Sequence, residues 1–345
     1  ANDGGTKLDR SDLLLSMVTA QWGQVNARKE IYDLVEYINT GTHRNRINKS
    51  FVLKCALVLC DLPVEYMVEN FSQEAMQRMG DHWSEIQGAI KTGFNLVNSF
   101  GVDRSNLTSL NAVIPIIDYL MPHPEVAVGP KPAVGGTTDF DIRNAQAIRS
   151  WLAFALLNKP FASGTDDTLR KMRKVIRARA AHSDDFPLSE MVAALGTSPH
   201  ELPNLIIKRA SHLRYQQPLT FFALTLLYDE TDWATRQYTQ DHIFPKSLFT
   251  TQSLTAANIP TNQHRRYIDL SKSLGNLQLL LLDENRAKAN KEFQQWIDTR
   301  AETFKIRHLI PADTNVYTLA RFPDFIKARE ALIAEHLTRL FAINE

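Results

Sequence analysis

Apolar residues recur at helical spacing along nearly the whole chain, and the places where that spacing fails are few enough to fix its organisation. Ser11 and Asp12 open one such run, LLLSMVTAQW, and Ala27–Tyr37 continues it. Ser50–Leu62 is apolar nearly all round, as a central core helix would be. Gln73–Phe100 again shows helical spacing, with Met76, Trp83, Ile86, Ile90, Phe94 and Leu96 as its apolar set, and Asn111–Leu120 adds a short apolar segment. The expected fold class is therefore mainly α.

The first failure is MPHPEVAVGPKPAVGGTT, from Met121 to Thr138, with four prolines and three glycines that break helices and favour turns. It predicts a linker over 121–138 between a helical domain at 1–120 and a helical domain at 139–345. Beyond it helices resume at Asn144–Leu157, Asp166–Ala181, Pro187–Leu195 and Leu219–Tyr228. The second of these carries Arg170, Arg173, Lys174 and Arg177 at positions i, i+3, i+4 and i+7, one helical face. Such a stripe reads either as a solvated face or as a row of phosphate contacts.

Composition narrows the function classes. A charged fraction of 22% and a net charge of +1 give no global basic field, so any nucleic-acid surface has to be local. Cys55 and Cys60 lie five apart in an apolar stretch with no second cysteine pair, which predicts buried, reduced thiols and not a zinc site. There is no apolar stretch of roughly 18 residues, and Ala1–Arg10 is polar, unlike a signal peptide. The expectation is a cytoplasmic chain that does not enter a membrane.

The second failure carries the chemistry. Around Tyr238–Ile243 the pattern becomes a short strand that Pro245 ends. A Pro- and polar-rich excursion runs to about Leu270, GNLQLLLL reads as a second strand, and Asp283 or Glu284 opens a helix to about Thr299. Hydrolysis of a phosphodiester needs a base that works near neutral pH, which histidine suits, and a divalent cation to offset developing charge. A hard cation that keeps several waters needs only a carboxylate and an amide oxygen from the protein. Asp241 and His242 are adjacent at a strand end, where their side chains point to opposite sides. Asn276 opens the second strand, Asn285 follows nine residues later, and Lys288 shares its helix face.

The segments DHIFPKS and GNLQLLLLDENRAKAN resemble the HNH, or ββα-metal, endonuclease motif, at about 236–300. More closely they resemble the nuclease-bearing C-terminal domain of GmrSD-type modification-dependent restriction enzymes. In that family a ParB-like N-terminal domain hydrolyses nucleotide, and the opening NDGGTKLDRSDLLLSMV is similar to the tail of that domain. The resemblance implies that His242 is the general base, that Asp241 and Asn285 bind the metal, and that Asn276 braces the loop between the strands. It also implies double-stranded DNA, foreign or modified, as substrate, a role in restriction and antiviral defence, and the N-terminal nucleotide-hydrolysing domain as partner.

Two departures qualify it. The third letter of the motif is Asn285, not histidine, which moves the expected metal towards Mg²⁺ (or Mn²⁺) and away from zinc. The family's acidic-Gly-Gln-Gln-Arg type nucleotide motif is missing and no P-loop replaces it, so a fragment is expected and nucleotide hydrolysis is not assigned to these residues. Lys288, Lys246, Arg286, Arg265 and Arg266 are candidate DNA contacts, with Tyr267 placed to stack on a base; the segment 264–267 reads equally as an exposed loop. Eleven Lys/Arg against seven Asp/Glu between Arg236 and Arg307 suit that role without requiring it. Two alternatives stay open: Asp241 and both asparagines as turn or cap residues around a core His242, or a helical scaffold with an HNH-like fold that binds DNA or a partner without cutting.

Overall fold

A computed structural model describes residues 10–22, 26–40, 45–65, 67–128, 138–229, 233 and 235–342. The chain is mainly helical, with a single two-stranded sheet among the described residues. It divides into two compact units, Ala1–Gly196 and Thr197–Glu345. Residues 129–137, the centre of the Pro/Gly-rich linker expected at 121–138, lie outside the described residues. On either side of them, Pro124–Val128 and the helix Asp139–Asn158 pack together within the first unit.

In the first unit the helix Lys49–Leu59 is buried along most of its length, as its all-round apolar sequence requires. Asn48 caps it, its side chain accepting from the Phe51 amide at 2.9 Å. Thr138 and Asp141 form a capping box that starts Asp139–Asn158. The single helix expected over Gln73–Phe100 is two, Gln73–Asp81 and Trp83–Ser99, because the backbone leaves helical geometry at His82. That turn delivers Trp83 against Trp22, with ring centroids 5.0 Å apart. Cys55 and Cys60 are free and buried, and burial pushes the Cys60 thiol up to about 11.

In this unit the basic stripe is a largely solvated face, with Arg170, Lys174 and Arg177 exposed, and its arginines are tied to groups of their own unit. On the helix Thr165–Ala180, Arg170 pairs with Glu65, while Arg173 reaches the Leu62 carbonyl at 2.6 Å and Asp61 at 3.3 Å. Arg177 donates to the buried Asp118 carboxylate at 2.8 Å and to the Leu59 carbonyl at 3.3 Å. Arg177 thus gives a donor to Leu59, the last carbonyl of the Lys49–Leu59 helix, where backbone acceptors lack intrahelical partners. Burial nevertheless holds Asp118 up at about 6, against the pull of Arg177 and Arg173.

The second unit is built around one aromatic cluster. Phe244 lies 4.7 Å from Phe293, 5.1 Å from Phe322 and 5.0 Å from Phe325, centroid to centroid. Two of these partners belong to the long C-terminal helix Phe322–Leu340. Strands β1, Tyr238–His242, and β2, Leu277–Leu281, pair antiparallel with Asp241 opposite Gln278 and His242 opposite Leu277. Phe244 lies two residues beyond β1, so the cluster anchors the end of that strand. Among the described residues no helix is long and apolar enough to cross a membrane.

Two expectations in this unit need correction. The excursion between the strands is largely helical, with turns of helix at Thr251–Ala256 and His264–Ser271. Tyr267 there is buried and donates to the Ala320 carbonyl at 3.0 Å, so it belongs to the core and does not stack on a base. The helix after β2 ends early, at Leu282–Lys288, because Ala289 adopts a left-sided backbone with φ 47° that no α-helix continues through. A separate short helix, Phe293–Ile297, follows and brings Phe293 to the cluster.

Candidate functional site

The pleat of β1 sends Asp241 and His242 to opposite sides, and each meets a different neighbour. Asp241 lies beside its register partner Gln278, whose Nε2 donates to Oδ2 at 2.8 Å. From the helix Leu282–Lys288, Lys288 brings Nζ to 2.9 Å from Oδ2 and 3.2 Å from Oδ1, and donates to the His242 carbonyl at 2.6 Å. Lys288 is fully buried, which is rare for an ammonium unless it is paired. It holds the Asp241–His242 dipeptide from below and is not a surface phosphate contact, as its spacing had suggested.

One turn earlier on the same helix, Asn285 donates through Nδ2 to Thr239 Oγ1 at 2.8 Å. With Nδ2 on the hydroxyl, Oδ1 meets no donor among the described residues. Asn276 is fully buried and spends its whole side chain on the turn. Its Oδ1 accepts from the Phe244 amide at 2.9 Å, and its Nδ2 donates to the carbonyls of Ser271 at 2.9 Å and Phe244 at 3.2 Å. Its own carbonyl accepts from Ile243 at 2.8 Å. The two residues after His242 are thereby locked to the start of β2.

His242 is 8% exposed, and its ring nitrogens make no hydrogen bond to protein among the described residues. The ring packs against Tyr215, centroids 4.3 Å apart. Burial, then the nearby charges of Lys288 and Lys246, push its pKa down to about 4, so at neutral pH it is an uncharged imidazole able to accept a proton. Burial raises Asp241 against the pull of Lys288 and lowers Lys288 against the pull of Asp241. Desolvation outweighs attraction on both sides of this pair.

These groups open onto one cleft of about 310 Å³ bordered by Tyr215, Asp241, His242, Lys246, Asn285 and Lys288. Lys246 is exposed there. Arg286 is exposed and pairs with Asp283 at 3.4 Å, bordering a different depression together with Arg236. Arg265 and Arg266 are exposed on the helix His264–Ser271 and do not line the cleft. Among the described residues no three His, Cys, Asp or Glu side chains converge, which is inconsistent with a closed protein cage for a metal. The donors available are the Asp241 carboxylate and the Asn285 carboxamide oxygen. An all-oxygen pair on an open cleft fits a hard divalent cation that keeps most of its waters.

Three contributors are absent from the sequence reading. Gln278 could have been found from strand alternation, two residues after Asn276 and opposite Asp241. Tyr215 sits in a turn tied to the excursion by its amide, which donates to the Lys272 carbonyl at 2.9 Å. Arg329, fully buried on the C-terminal helix, donates to the carbonyls of Leu274 at 3.0 Å, Gly275 at 2.9 Å and His308 at 3.2 Å. It fixes the turn just ahead of Asn276. Gly275 is needed there, because a Cβ would stand 3.0 Å from Ile326 and 3.1 Å from Glu330 on that helix. No local signal in the sequence points to Tyr215 or Arg329.

Residues 207–335 match the family model for GmrSD restriction endonucleases, C-terminal domain. Both strands, the excursion, the helix Leu282–Lys288 and Arg329 all fall inside the matched span. No curated protein matches the chain.

Proposed function

We propose that the unit Thr197–Glu345, of GmrSD restriction-endonuclease type, is a one-metal HNH nuclease that hydrolyses phosphodiester bonds of double-stranded DNA. The observation that carries this reading is the convergence of Asp241, His242 and Asn285 on one cleft, with Asn276 bracing the turn behind them. The strand–excursion–strand–helix order supplies that convergence from segments far apart in sequence.

His242, neutral and with no hydrogen bond to its ring among the described residues, takes the proton from the attacking water. Asp241 and Asn285 would hold Mg²⁺ or Mn²⁺, which supplies charge stabilisation at the phosphate and the leaving oxygen. Lys288 and Gln278 orient the Asp241 carboxylate, and Asn276 fixes the backbone after His242. Lys246 is placed to meet a phosphate at the cleft mouth, with Arg286, Arg265 and Arg266 available to DNA further out. The match to restriction endonucleases supports DNA as substrate; a cytoplasmic defence role against foreign or modified DNA and an N-terminal nucleotide-hydrolysing domain as partner follow from the resemblance carried by the sequence.

A second reading, a DNA-binding scaffold that does not cut, is favoured by one observation: both Asp241 oxygens are already engaged by Lys288 and Gln278. Supercoiled plasmid incubated with the protein and Mg²⁺ or Mn²⁺ separates the two. Nicking that disappears in His242→Ala supports the nuclease; intact plasmid with retained DNA binding supports the scaffold.

A further inference from the structure

We propose that the cleft takes up the phosphodiester before the divalent cation, because Lys288 cancels the one negative charge the protein offers there. The inference rests on the nuclease reading and concerns how that site is filled. Of the described side chains bordering the cleft, Asp241 is the sole carboxylate, against two lysines, Lys246 and Lys288. Lys288 contacts both Asp241 oxygens and is fully buried, so solvent does not screen it away from the carboxylate. Whichever partner carries the proton, the pair sums to zero. Lys246 then makes the cleft positive.

The other acids of the same helix do not restore the balance. Asp283 pairs with Arg286 at 3.4 Å, and Glu284 faces Arg300 at 3.9 Å. Neither borders the cleft. A dication entering this space alone meets like charge and a carboxylate already shared with an ammonium. A phosphodiester meets the Lys246 ammonium, and its negative charge then supplies what the cation lacks. Coupling of this kind is reciprocal, so DNA raises metal affinity by the same factor that metal raises DNA affinity.

The test titrates Mn²⁺ into the full chain carrying His242→Ala, which leaves the duplex uncut, with and without a saturating short DNA duplex. Binding is read by calorimetry and by the resonance signal of free Mn²⁺. The expected result is Mn²⁺ affinity at least tenfold higher with duplex, together with duplex binding that persists in chelator. Lys288→Met should raise the Mn²⁺ affinity of the DNA-free protein severalfold, whereas Lys288→Arg, which keeps the charge, should leave it weak. If Lys288→Met fails to fold, the comparison with and without duplex still decides. Equal Mn²⁺ affinity in both states overturns this inference and leaves the nuclease reading standing. No Mn²⁺ binding even with duplex overturns both.

Discussion

The helix Thr165–Ala180 and the cleft at Asp241–His242 make opposite use of charge. The first displays four basic residues on one face, the most conspicuous basic feature in the sequence, yet three of its arginines are committed to carbonyls and carboxylates of their own unit. The second has one acid and two lysines, and its chemistry lies in groups the protein leaves uncommitted: the His242 ring and Asn285 Oδ1. Charge density marks where a chain needs anchoring as readily as where it binds a ligand. Polar atoms held in place but left without a protein partner are the better sign of a site.

The contrast is sharpest if the two acid–base pairs are broken in turn. Asp241→Ala strands a fully buried ammonium, so it should cost about 3–5 kcal/mol of unfolding free energy, measured by denaturant titration, and abolish cleavage. Arg329→Met should cost about 3 kcal/mol, since three buried carbonyls lose a charged donor, and should slow cleavage by loosening the turn before Asn276. Arg177→Ala should cost only about 2 kcal/mol, because the guanidinium it removes is 44% exposed although Asp118 is buried. Its DNA affinity and cleavage per folded molecule should match the wild type; a loss of DNA affinity with stability unchanged would return the stripe to the role of a phosphate row.

Acidification should separate the two units. His308, buried beside Arg307 and Arg329, is held well below its ordinary value, so the unfolded chain binds more protons than the folded one below about pH 6.5. Stability of the second unit is therefore lost as pH falls from 6.5. Asp118 is raised to about 6, so the folded first unit binds more protons between about 3.8 and 6, and the burial penalty there eases over the same fall. Amide hydrogen exchange between pH 7 and 5 should show protection falling in residues 197–345 while that of the first unit is kept. The smallest expected effect is that of Arg265→Ala with Arg266→Ala, which should weaken DNA binding alike for all sequences and reduce the salt dependence by about one to two phosphate contacts.

Much of the second unit was legible because its signals are local. Pro245 ends β1, the LQLLL run makes β2, and Asp241, His242, Asn276 and Asn285 fall at positions that strand pleat and helix pitch interpret. What was not legible depends on partners distant in the chain. Lys288 looked like a surface cation because spacing gives a helix face but not what covers it; the covering group is Asp241, 47 residues away. Arg329 reaches Gly275 across 54 residues, and Tyr215 meets His242 from another turn altogether. The end of the helix at Ala289 is set by a backbone conformation that alanine itself does not favour, so composition could not announce it. The helices within the excursion are masked by the polar residues that dominate it, while its large apolar side chains, Leu254 and Tyr267 among them, turn to the aromatic core.

The central claim is that the cleft containing Asp241, His242 and Asn285 cuts DNA with His242 as the base. Its most direct test is the single-turnover cleavage rate of a DNA duplex by the full chain with Mg²⁺ or Mn²⁺, wild type against His242→Ala. The expected result is a rate lower by about 10²–10⁴-fold in the variant, with duplex affinity and unfolding midpoint kept. Equal rates in the two proteins, or cleavage by neither when both bind the duplex, would contradict it.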